Sequence, residues 1–154
     1  MKIGIVVYSQ TGNTLAVAEK LREKLNASGH QAAIERITLA SDPKDMRNIR
    51  FNALPDLAGY EAFVFAAPVQ AFQLCAAMRA YLHKMPELKG GKAAVLVTKA
   101  WTSAWTGANG AMKAISSAIE AKGGKACGAG FVGWGSKQRD KDIGALTDKL
   151  AGLF

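Results

Sequence analysis

Little in this chain points to metal or thiol chemistry. It has two cysteines and two histidines in 154 residues. Cys75 and Cys127 form no C-x-x-C and are too few for a disulfide framework, so both read as small packing residues. His30 and His83 fall near one helix end and in another helix's last turn, and neither belongs to a motif for zinc or nucleophilic chemistry. No apolar run approaches the ~20 residues of a membrane helix, and no signal-peptide pattern leads into the first apolar stretch. A cytoplasmic protein without a membrane span is the expectation. The two common nucleotide loops, G-x-x-x-x-G-K-[ST] and G-x-G-x-x-G, are both missing.

Two further scarcities are local. Between residues 62 and 119 the only acid is Glu87, against Arg79, Lys84, Lys89, Lys92, Lys99 and Lys113, and the whole chain carries a net charge of +8. Much of the surface is therefore positive, which suits acidic partners or anionic small molecules. The basic residues are dispersed and no reader motif accompanies them, so nucleic acid is not an expected partner. The second scarcity is glycine, which is absent from residues 61–89.

What is present is a regular alternation. Residues 2–8 read as a buried strand and 13–27 as a helix with Ala18, Leu21 and Leu25 on one face. Residues 31–37, 61–67, 92–98 and 125–134 read as further strands. Helical patterns follow at Leu74, Met78, Tyr81, Leu82 and Met85, over 107–122, and over 139–154. Residues 38–57, rich in charge and holding Pro43 and Pro55, read as a loop with a short helix. Such alternation implies one domain over residues 1–154, an α/β fold with a parallel sheet and helices on both faces.

Between the first strand and first helix lies Ser9-Gln10-Thr11-Gly12-Asn13-Thr14. The first amides of a helix have no internal partner and carry the positive end of its dipole, so this turn suits an anion. Hydroxyls, an amide and a glycine that permits close approach agree with that reading. Simple helix capping would explain one or two of these residues. A receiver domain would need acids after the first strand, where Tyr8 and Ser9 stand, and a low-molecular-weight phosphatase would need a cysteine loop.

SQTGNT in this position resembles the FMN-phosphate loop of flavodoxins. The similarity to short-chain flavodoxins continues through Asp56-Leu57-Ala58-Gly59-Tyr60-Glu61, Ala67-Pro68-Val69 and Arg79-Ala80-Tyr81-Leu82, and covers most of the chain. It implies a doubly wound five-stranded sheet of order 2-1-3-4-5, with FMN at the carboxyl edge. By resemblance, Ser9 to Thr14 hold the phosphate. The flavin ring lies between a second loop (Pro68, Val69, Gln70, Ala71, Phe72) and a third (Thr98, Lys99, Ala100, Trp101, Trp105). Trp101 is the first choice to stack on the ring, although each tryptophan could instead pack as core, and Trp134 is expected to be structural or at the rim.

The implied function is electron transfer to a redox partner protein, here an acidic one. The alternatives are a small FMN-dependent oxidoreductase using a nicotinamide donor and a quinone acceptor, and a module binding some other phosphate without redox chemistry. Flavodoxins tend to be acidic, and this chain departs from that. Its second loop lacks the glycine of many flavodoxins, and since other residues resist positive φ, the resemblance implies a less favoured neutral semiquinone and two-electron behaviour more accessible than in an acidic flavodoxin. Lys99 has two readings: a solvated loop lysine, as is usual, or a cation beside the ring that raises its potential.

Overall fold

The computed structural model describes residues 1–101 and 106–154. Five parallel strands form the sheet: β1 (Lys2–Val7), β2 (Gln31–Arg36), β5 (Ala62–Gln70), β7 (Lys92–Lys99) and β8 (Lys125–Gly133). Their order is β2-β1-β5-β7-β8, the predicted 2-1-3-4-5. Parallel strands need crossovers, and α1 (Asn13–Ala27), α2 (Ala76–Lys84), α3 (Ala108–Ala121) and α4 (Arg139–Ala151) cover the two faces.

Each face has its own core. Val6, Phe63, Phe65, Val95 and Val97 meet Met78 and Tyr81 of α2 and Ile115 and Ile119 of α3. The intervening residues Ile3, Ile5, Val7, Val64 and Leu96 meet Val17, Leu21 and Leu25 of α1 and Leu150 of α4. Adjacent residues of a strand point to opposite faces, so continuous apolar runs such as Ile5-Val6-Val7 supply both cores at once.

Three local readings need correction. Residues 38–57 contain no helix; they hold an antiparallel pair, β3 (Thr38–Leu39) with β4 (Phe51–Ala53). Ser41 closes it, its hydroxyl accepting from the Arg50 amide at 2.9 Å. Pro68, Val69 and Gln70 belong to β5 rather than to a loop, because the strand continues to Gln70 and folds back into β6 (Gln73–Leu74). The helix expected after Pro68 accordingly begins only at Ala76, and α4 stops at Ala151 rather than Phe154.

Candidate functional site

The carboxyl ends of β1, β5 and β7 converge at the point where the chain's winding reverses, where open α/β sheets bind ligands. A cleft of about 510 Å³ opens there. Ser9, Gln10, Thr11, Asn13 and Thr14 form one wall, and Pro68, Val69, Gln70, Thr98, Lys99 and Ala100 form the opposite side. A smaller compartment of about 180 Å³ adjoins it between Val69, Ala71, Phe72, Lys99, Ala100, Trp101 and Thr106. The structure thus brings together every predicted site residue that it describes, with Gly12 inside the first loop; Trp105 lies outside the described residues.

In the first loop the Ser9 hydroxyl accepts from the amides of Gly12 (3.1 Å) and Leu15 (3.3 Å), folding the turn onto the start of α1. Gly12 has φ 96°, and a Cβ built there would meet nothing within 4 Å. The left-handed backbone needs glycine, and the space beside it is open to a ligand. Thr98 belongs to β7 rather than to the third loop, because the strand continues to Lys99; buried Thr14 shares a 2.7 Å hydrogen bond with its hydroxyl, joining the start of α1 to the end of β7. The Gln70 side-chain amide donates to Gln10 Oε1 at 2.8 Å, joining the first loop to the end of β5.

The second loop shrinks to Ala71 and Phe72, with φ of 51° and 61°. The expectation that a loop without glycine would avoid positive φ is not met. The pairs Val69↔Leu74 and Gln70↔Gln73 leave two residues to reverse the chain, and a two-residue hairpin of type I′ requires both to be left-handed. Gly107, just before α3, makes room for it: a Cβ there would lie 2.6 Å from the Phe72 carbonyl carbon and oxygen.

Phe72 and Trp101 stand 67% and 62% exposed, at the lips of the smaller compartment. Two large aromatics left in water beside a cleft mark a binding surface better than a core. Lys99 corrects the solvated reading. It is the last residue of β7 rather than a loop residue, and only 4% exposed. Its ammonium donates to the Thr106 hydroxyl and sits 5.5 Å from the centre of the Phe131 ring. Burial lowers its pKa from the usual lysine value.

A fourth segment reaches the site: Trp134 takes the rim position that was one of its two expected places, and Gly135, to which no role was assigned, comes with it. Trp134 and Gly135 line the cleft, carried by hydrogen bonds from the Trp134 amide to the Lys99 carbonyl (2.7 Å) and from the Gly135 amide to that of Ala100 (3.1 Å). Arg139 stacks 4.5 Å over the Trp134 ring and donates to the Trp134 carbonyl. A tryptophan at a strand's carboxyl end was the available signal. Among the described residues no group of acids, histidines and cysteines could hold a metal, and no helix is long and apolar enough to cross a membrane.

A doubly wound sheet with a polar anion loop at its switch point and an aromatic-lipped cleft beside it defines a flavodoxin-like protein. The sequence matches the flavodoxin family over residues 5–145, and the chain belongs to that family. Among solved structures it resembles oxidised flavodoxin 2 from Bacillus cereus (TM-score 0.70, 17% identity, all of both chains covered). It is similar to a cysteine-to-serine mutant of flavodoxin from Pseudomonas aeruginosa (TM-score 0.70, 14% identity, 99% of this chain and 98% of that one). A third likeness is to a flavoprotein from Lactobacillus acidophilus solved in complex with FMN (TM-score 0.63, 16% identity, 95% of this chain and 98% of that one). No curated protein sequence matches. The chain is an FMN-binding flavodoxin-like protein, and its residues fit that cofactor: an anion loop with open space at Gly12 adjoins a cleft large enough for a flat ring.

Proposed function

We propose that this protein is a one-FMN electron carrier serving a partner protein with an acidic docking face. The observation that carries the reading is the convergence of three segments on one cleft, with two exposed aromatics at the mouth of the compartment that adjoins it. Ser9 to Thr14 would hold the phosphate with helix amides and hydroxyls. The Pro68–Phe72 and Thr98–Trp101 segments would flank the ring, with Trp101 or Phe72 covering one face by offset stacking. FMN supplies the redox chemistry when bound, and these residues orient it and exclude water. The net charge of +8 supports an acidic partner and an electron-transfer rate that falls with added salt. Two free thiols suit a reducing, cytoplasmic setting.

The buried Lys99 favours a second reading, an oxidoreductase that takes two electrons from a nicotinamide donor and passes them to a quinone. One series of measurements tests both: absorption titration of the protein with FMN, then stepwise anaerobic reduction with dithionite, then NAD(P)H oxidation with and without a quinone. Tight binding without nicotinamide turnover is the expected result. Rapid quinone-dependent NAD(P)H oxidation would replace the carrier with the reductase, and no FMN binding would leave a loop for some other phosphate.

A further inference from the structure

We propose that Lys99 is a fixed cation in the ring site that makes the cleft bind reduced FMN more tightly than oxidised FMN, and that Thr106 is its positioning residue. The inference rests on the FMN reading above.

A lysine usually stretches its stem along apolar surface and keeps its ammonium in water. Lys99 stands at the end of β7, where the sheet opens into the cleft, yet it is 4% exposed. Among the described residues it is held by its own strand, by the Phe131 ring of β8 at 5.5 Å, and by the Thr106 hydroxyl ahead of α3. Lys99 and Thr106 both line the compartment closed by Val69, Ala71, Phe72 and Trp101. The same region is pinned to the second loop, because the missing Cβ of Gly107 lets the Phe72 backbone lie against the chain just after Thr106.

Burying an ammonium costs desolvation, and Lys99, held by its neighbours, lines both the cleft and the adjoining compartment, where an anion would meet its positive charge. Reduction of flavin at neutral pH takes up two electrons and one proton, leaving the ring with one net negative charge. The oxidised ring is neutral. A cation held beside the ring therefore favours the reduced state, and the low polarity of the site weakens solvent screening. The charge that favours an anion is set by Lys99, and Thr106 and Phe131 are among the groups that hold it in place.

The test compares dissociation constants for oxidised FMN, measured in air, and for FMN reduced with dithionite, measured anaerobically. It uses the intact wild-type chain, Lys99→Gln, Lys99→Arg and Thr106→Val. The wild type should bind the reduced form more tightly. Lys99→Gln should cut the oxidised-to-reduced ratio of constants at least tenfold, which is about 30 mV in a two-electron midpoint. Lys99→Arg should retain most of the preference, and Thr106→Val, which keeps the charge but removes the Thr106 hydroxyl as its hydrogen-bond partner, should lose a smaller share. An unchanged ratio in Lys99→Gln overturns the proposal while FMN binding itself stands. Should Lys99→Gln not fold, Lys99→Met and the wild type decide it: a wild-type midpoint at or below that of free FMN overturns the assignment. Failure of the wild type to bind FMN in either state overturns both this inference and the reading beneath it.

Discussion

Gly12 in the first loop and the Ala71–Phe72 pair in the second all have left-handed backbone, with φ of 96° against 51° and 61°. The first turn reaches it with glycine, which bears no Cβ penalty, and faces open space. The second reaches it with an alanine and an exposed phenylalanine, at about 1–2 kcal/mol per residue. It persists because β5 and β6 pair up to the turn and Gly107 admits the Phe72 carbonyl. One loop is shaped by its own residues, the other by its neighbours. Local strain of the second kind collects at binding sites, where surrounding structure over-determines the backbone.

The sharpest way to break this contrast is Gly107→Ala. Its Cβ would strike the Phe72 backbone at 2.6 Å from a backbone φ of 109°, so the variant should lose about 3 kcal/mol or more. A thermal melt should fall by at least about 6 °C for a chain of this size. An unaltered melt would mean that the second loop is not braced from α3.

Thr14→Val is next. It leaves the buried Thr98 hydroxyl without its 2.7 Å partner and should cost about 1–3 kcal/mol, most of it regained in the double variant with Thr98→Val. Strict additivity in denaturant unfolding would show that the start of α1 and the end of β7 are not coupled there.

Gly12→Ala should cost about 1–2 kcal/mol, from backbone strain alone, because its Cβ meets nothing. Its larger effect should be on FMN, with at least a roughly tenfold weaker dissociation constant, equal to about 1.4 kcal/mol. Fluorescence quenching of FMN by wild type and variant measures it, and equal affinities would remove the anion from this turn.

The smallest effect runs the other way. Ala71→Gly relieves left-handed strain but gives the unfolded chain more freedom, so stability should rise by only about 0.5–1 kcal/mol. A fall in melting temperature would show that the hairpin is not strained at Ala71.

The two loops also differ in how legible they were. Ser9 to Thr14 could be read directly, because capping, hydroxyl donors and a glycine act within six residues of chain. The Ala71–Phe72 turn could not, since neither residue is turn chemistry and the hairpin exists only through pairing with β6. The β3–β4 pair escaped for the same reason: its strands are two and three residues long and lie twelve or more positions apart. Trp101 was legible as a tryptophan where a surface connection was due, and it is exposed at the cleft.

The sequence by itself determined the strand and helix alternation, the parallel sheet covered on both faces, and the anion loop, because periodicity, helix termini and turn chemistry are short-range properties. Only the tertiary structure decided that Lys99 is buried rather than solvated, that Thr14 meets Thr98, and that Trp134 and Gly135 complete the cleft. Those outcomes depend on side chains as far apart as 84 positions. Exposure and contact at such distances follow from how strands are ordered and packed, which no local stretch of chain specifies.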